Sequence, residues 1–269
     1  MTLPDLRTAD CDGRTISYRE VGRGPSVLLL HGIGSGSASF EGQFDGLSGK
    51  LRLIAWDAPG YGASDPLPAA TPASGDYADA AAALLDALNV EKIHLVGHSL
   101  GAVIGSSFAA RHPERLLTVT LASATAGYGK ADHAARVDRL NARMAAIRDL
   151  GPAGMAESRG REVLSPDASD GALAKVRAVM SGLDVDGYCQ AARMLHSSDI
   201  YDDIATFNAP ALVMCGSADK VTPEELNQWI AAAISGAVYR SLPGLGHASY
   251  VENPALFNAA LGEFLAANG

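Results

Sequence analysis

Cysteine is scarce in this chain: Cys11, Cys189 and Cys215 are the three in 269 residues, far apart. An odd, unpatterned count offers no disulfide framework and suits a reducing compartment. There is no HExxH and no Cys-pair spacing, so no metal is expected. Positive charge is also short. Lys and Arg number 21 against 30 Asp and Glu, a formal net charge of -9, and form no basic run. That excludes the electrostatic footprint of a nucleic-acid partner. No apolar run approaches membrane-spanning length. The opening Met1-Thr2-Leu3-Pro4-Asp5 lacks the basic-then-apolar order of a secretory signal. Internal repeats are missing, and the one compositional bias is a mild excess of alanine. The expectation is a cytoplasmic globular protein with no nucleic-acid or membrane partner. Nothing in the sequence sets an oligomeric state.

What is present is apolar content: 48% of the residues are hydrophobic. That suffices for a sizeable core in one large domain, or in one domain with a smaller insert. Arg14–Tyr18 alternates like an early strand. Short continuous apolar runs at Ser26–Leu30, Leu51–Trp56, Ile93–Val96, Leu117–Leu121 and Ala211–Met214 read as strands buried on both faces. Val238–Leu242 is strand-like. Helical patterns fall between them at Tyr77–Leu88, at Ala102–Arg111, from Pro223 and at Pro254–Ala267. The alternation predicts an α/β fold, a mostly parallel central sheet with helices on both faces. From Tyr128 to Thr206 the pattern breaks. Helices are predicted at Ala131–Leu150, ended by Gly151-Pro152, at Gly171–Gly182 and at Tyr188–His196, with no buried strand. We therefore expect a core domain of residues 1–127 and 207–269 and a helical cap, or lid, of residues 128–206.

One motif carries chemistry. Gly97-His98-Ser99-Leu100-Gly101 follows a strand and opens a helix. A sharp strand-to-helix turn exposes the serine hydroxyl, and the flanking glycines let backbones approach closely. Serine needs a base, and a base needs an orienting acid. The best base is His247, in Gly244-Leu245-Gly246-His247-Ala248. The best acid is Asp219, just after the run Ala211–Met214. Both lie at strand exits, where open parallel sheets place ligands. The order Ser, Asp, His suits this architecture. Oxyanion donors are expected at the backbone amides of Leu100 and of Ile33, in the loop His31-Gly32-Ile33-Gly34. Asp57 is a second strand-end acid, read as the organiser of the turn around Pro59 and Gly60. His98 and His31 are read as structural, His31 shaping the oxyanion loop. Gly32-Ile33-Gly34 with Asp57 imitates a dinucleotide fingerprint, but Ser37 stands where its third glycine belongs, and that reading leaves Ser99, Asp219 and His247 unused.

His31-Gly32, the run Asp57 to Ser64, the elbow at Ser99, Asp219 and the run His247 to Pro254 resemble the α/β-hydrolase superfamily over nearly the whole chain. Within it, His31–Ser35, Ala55–Tyr61 and Leu150–Glu157 look most like bacterial 3-oxoadipate enol-lactonase-like hydrolases. The resemblance implies an α/β-hydrolase fold with a cap, no cofactor, and hydrolysis of a small-molecule ester or enol-lactone. Cleavage would run through an acyl-enzyme intermediate. Two other functions stay open. Carbon–carbon hydrolases of meta-cleavage-type diketones share the machinery, but commonly carry Trp after the catalytic histidine, where this chain has Ala248. A non-catalytic ligand-binding protein on the same fold is the reading from a different class. Substrate choice is expected in the cap, with Met155, Met180, Met194 and Leu195 as apolar lining. A carboxylated lactone entering an acidic protein needs a cation. Arg193 is the first choice among Arg136, Arg139, Arg143, Arg148, Arg159, Arg161, Arg177 and Arg193.

Overall fold

The computed structural model describes residues 3–268; Met1 and Thr2 of the N-terminal stretch read above, and Gly269, lie outside them. The strands are β1 (Leu6–Cys11), β2 (Arg14–Val21), β3 (Ser26–Leu30), β4 (Arg52–Trp56), β5 (Ile93–His98), β6 (Leu116–Ala122), β7 (Ala211–Gly216) and β8 (Val238–Leu242). The helices of the sheet portion are α1 (Glu41–Leu47), α2 (Ser74–Ala87) and α3 (Leu100–Arg111). Between β6 and β7 come α4 (His133–Arg159), α5 (Asp170–Met180), α6 (Val185–Ser197) and α7 (Tyr201–Ile204), and after β7 come α8 (Glu224–Ala233), α9 (Ser249–Glu252) and α10 (Pro254–Asn268).

One eight-stranded sheet runs in the order β1-β2-β4-β3-β5-β6-β7-β8. β2 is antiparallel to β1 and β4, and the other pairings are parallel. The apolar runs behave as a sheet covered on both faces requires: β5 and β7 are buried along their whole length. Two apolar clusters, one per face, hold the layers. α2, α3 and α8 pack on one face, with Trp56, Tyr77 and Phe108 in its core. α1 and α10 pack on the other, with Phe44, Phe257 and Leu261.

Three differences from the predicted pattern have local causes. β1 was not foreseen. Its polar, mostly exposed face gives no apolar run, yet it pairs along β2 through a turn at Asp12-Gly13 with φ of 54° and 80°. Gly151-Pro152 ends the first helix as expected, but a further helical stretch follows it that was not foreseen. Gly151, at φ 66° and ψ 171°, breaks the α4 hydrogen-bond ladder, and the chain turns helical again through to Arg159. Proline at the start of a helical turn loses no hydrogen bond, so the pair makes a kink. Finally, α7 packs on α3 and α8, whereas α4 packs on α5 and α6. The foot of the insertion is stitched by Tyr128 N to Leu195 O, Gly129 N to Ser198 O and Ile200 N to Ala126 O.

Candidate active site

β5 ends at His98 and α3 begins at Leu100, leaving Ser99 alone in the turn at φ 53° and ψ -109°. A non-glycine residue there carries strain on the order of 1–3 kcal/mol, retained only where the surroundings impose it. They do so here through the glycines. A Cβ on Gly97 would lie 2.2 Å from Gly101 O, and one on Gly101 would lie 2.2 Å from Leu30 O. The backbones of β3, β5 and α3 therefore touch at the elbow, and the Ser99 amide is held by Ala122 O at 3.0 Å.

Asp219 leaves β7 in a tight turn. Its Oδ1 accepts the amides of Val221 and Thr222 at 2.8 and 2.9 Å, and its Oδ2 accepts from Thr222 Oγ1 at 2.9 Å. His247 Nδ1 lies 2.9 Å from the same Oδ2 and 3.1 Å from Thr222 Oγ1. Burial alone would raise the Asp219 carboxyl. The imidazole beside it and the Thr222 donors outweigh burial and hold it low, at about 2. With Nδ1 turned to the carboxylate, the other ring nitrogen of His247 points away from it and is able to accept a proton.

The loop that carries Ile33 is shaped by His31. Its Nε2 accepts the Ala58 amide at 3.0 Å and its Nδ1 donates to Gly32 O at 2.8 Å, so the ring is neutral, as burial favours. Tyr61 Oη donates to Ile33 O at 2.9 Å. Among the described residues no protein acceptor takes the amide of Ile33 or of Leu100. Asp57 stands apart from this group: its oxygens accept from Ser37 N at 2.7 Å and Ser17 Oγ at 2.9 Å, tying the end of β4 to β2 and to the turn after β3. His98 is buried and its Nε2 donates to His247 O at 2.9 Å; burial and the adjacent His247 push its pKa down to about 3.

Ser99, His98, His247, Thr222 and Ile33 open onto one cavity of about 640 Å³ between the strand ends and α4, α5 and α6. Of the expected lining residues, Met155, Met180 and Leu195 face it. Met194 does not: it is fully buried on another face of α6 and contacts Ser198. Arg193 does not either, and the expectation is corrected. It precedes the lining residue Leu195 by two positions on α6 and donates to Ala70 O. The cap arginines at the cavity are Arg139, Arg143 and Arg159. Arg159 pairs with Glu162, and Lys175 at the rim pairs with Glu41. Arg139 stacks over Tyr128, which stacks in turn on His196. Thr222 was not anticipated from sequence. Its one signal was its place three residues after Asp219, ahead of the proline that starts α8. Among the described residues no cluster of His, Cys, Asp or Glu could hold a metal, and no helix is long and apolar enough to cross a membrane.

A strained serine, a carboxylate-held histidine and the Ile33 stretch thus line one cavity, with the free Leu100 amide directly after the serine. Residues 25–254 match the family described as the alpha/beta hydrolase fold. The chain belongs to that family. Its relatives include a putative carbamate hydrolase of Variovorax paradoxus, 31% identical over 251 residues and covering 90% of this chain and 92% of that one. A 3-oxoadipate enol-lactonase of Acinetobacter baylyi is 25% identical over 250 residues, covering 91% of each. The solved enol-lactonase of Burkholderia xenovorans superposes with a TM-score of 0.87 at 24% identity, over 97% of this hydrolase and 100% of that chain, a likeness of fold.

Proposed function

We propose that this hydrolase cleaves a small ester or lactone through an acyl-enzyme at Ser99, in a cytoplasmic setting that suits its three free, buried cysteines. The observation that supports this best is the shared cavity: strained Ser99 on one side, and His247 with Asp219 behind it on the other. His247 takes the Ser99 proton as Oγ attacks the carbonyl carbon. The carbonyl oxygen becomes an oxyanion, and the Ile33 and Leu100 amides donate to it. Asp219 holds the imidazole tautomer and stabilises the imidazolium. The tetrahedral centre collapses, and His247 gives its proton to the leaving oxygen. Water, deprotonated by His247, then attacks the acyl carbon; the second tetrahedral centre collapses with cleavage of the bond to Oγ, and His247 returns the proton to Ser99 as the acid leaves.

Residues 128–206 act as the cap over this site, and their charges support an anionic group on the substrate. Among the described residues, Arg139 and Arg143 line the cavity without a carboxylate partner, while Arg159 and Lys175 are paired. In a protein of net charge -9, an unpaired arginine facing a cavity is the cation a carboxylated ester or lactone would need.

A fluorophosphonate probe should label the protein at Ser99 and nowhere else. Ser99→Ala should stay folded and lose at least ~10³-fold in kcat/KM across a panel of esters, lactones and carbamates. Labelling at another residue, or a fully active Ser99→Ala, would overturn the reading.

A further inference from the structure

The loop that carries His247 is held to the helical insertion as well as to the sheet. Three consecutive residues make the joint. Gly246 N donates to Glu252 Oε2 at 3.0 Å. His247 O accepts from His98 Nε2. Ala248 N donates to Val163 O at 2.8 Å. Val163 belongs to the stretch between α4 and α5. Glu252, at the end of α9, extends that contact. Its Oε2 also accepts Ser165 N at 2.9 Å, and its Oε1 accepts the Ser165 hydroxyl. Ser165 is almost wholly buried. A Cβ on Gly246 would fall 2.4 Å from both Leu164 C and Ser165 N, so the two loops are in backbone contact and glycine is what lets them meet.

The consequence follows from where the bonds attach. The imidazole of His247 is aimed by its own backbone, and the amides on both sides of that backbone end on residues 163–165 or on the carboxylate that also holds them. From this geometry we infer that Glu252 and Ser165 are positioning residues for His247, registering the base against the insertion. This rests on the role proposed above for His247. The insertion is then part of the frame that aims the base, beyond covering the cavity. Because a sub-ångström error in a proton acceptor is felt directly in turnover, removing the joint should act on kcat.

The test uses the full-length enzyme and a small activated ester, which needs little from the cavity. Glu252→Ala leaves the Gly246 and Ser165 amides without their acceptor. Its kcat should fall about tenfold to a hundredfold with KM within about threefold, and fluorophosphonate labelling of Ser99 should slow by a similar factor. Glu252→Gln keeps one oxygen able to take both amides and should restore most of both rates. Ser165→Ala, which removes a single hydroxyl, should lose a few-fold in kcat, and it decides the matter if Glu252→Ala does not fold. A merely structural tie predicts the opposite pattern: a lower Tm, with kcat and labelling unchanged at a temperature where every variant is folded. That result would overturn the inference, as would a loss confined to KM. Failure of the parent reading looks different, because Ser99→Ala would then be active.

Discussion

The two walls of the cavity are built differently. On the sheet wall the groups around the histidines are tied down: both oxygens of Asp219, both nitrogens of His31 and the carbonyl of His247 are hydrogen-bonded, while His98 Nδ1 and the Ile33 amide have no partner among the described residues. On the insertion wall Arg139 and Arg143 have no carboxylate among the described residues, and neither ring nitrogen of buried His196 has a side-chain hydrogen-bond partner among them. Unmade hydrogen bonds in a buried wall cost stability. They are tolerated at a surface that a ligand completes. Under the proposed function the contrast divides the labour: the sheet wall would fix the reacting geometry, and the insertion wall would be left open for recognition.

The largest expected effect tests the sheet wall against itself. Asp57 and Asp219 both leave strand ends, and both are 5% exposed. Only Asp219 reaches a histidine ring. Asp219→Asn should keep the fold and lose about 10⁴-fold in kcat, because the imidazole tautomer is no longer fixed. Asp57→Asn weakens bonds to Ser17 and Ser37, so it should lower Tm by several degrees and leave kcat within a few-fold. Stopped assays on both variants, with circular dichroism melts, check this. A folded Asp57→Asn without turnover, beside an active Asp219→Asn, would exchange their roles.

That pair also shows what the sequence could express. Ser99, Asp219 and His247 are legible because strand-exit turns need particular residues locally: glycine where backbones touch, a carboxylate to close the turn after β7. The Asp219 turn serves two ends at once, since Oδ1 binds the Val221 and Thr222 amides while Oδ2 faces His247. Closing the turn and holding the histidine therefore do not compete for Asp219. The buried strands were equally legible, because burial on both faces leaves an apolar run. β1 was not, since an exposed edge strand leaves no such run, although Asp12-Gly13 was a hairpin signal within reach. Glu252 and Ser165 meet across 87 residues, and no local pattern encodes such a contact. On α6, Arg193 and Leu195 are two residues apart, and whichever reaches the cavity is decided by the tertiary packing of that helix.

The insertion wall gives the intermediate effect. Arg143→Met keeps the length of the side chain and removes the charge. KM for a carboxylated lactone should rise about tenfold to a hundredfold, the range expected for a charge-assisted hydrogen bond, and KM for a neutral ester of the same size should hardly move. Arg193→Met, which removes a bond to Ala70 outside the cavity, should leave both values unchanged. Equal KM shifts for charged and neutral substrates in Arg143→Met would break the division of labour between the walls and point to a neutral substrate.

The smallest effect is one the two walls share. His98 on the sheet wall has its pKa lowered by burial and His247 to about 3, and His196 on the insertion wall has its pKa lowered by burial and Arg143 to about 4, from an ordinary value of 6.5. Both are depressed, so each favours folding most above pH 6.5. As pH falls below that, the unfolded chain takes up a proton that the folded chain refuses, and stability declines until the folded pKa is reached. At pH 5 each ring should cost about 2 kcal/mol relative to pH 7. Asp219 adds nothing in this window, because its carboxyl titrates below its ordinary 3.8 in the folded chain. Urea unfolding at pH 7 and pH 5 should therefore show a stability loss that shrinks by about 2 kcal/mol in His98→Gln, and by the same in His196→Gln. The walls then separate in turnover at pH 7. His98→Gln disturbs the donor to His247 O and should lower kcat, whereas His196→Gln should alter KM alone. A pH-dependent stability loss that neither substitution reduces would mean that these rings are protonated in the folded protein, and the low-pKa assignment would fall on both walls.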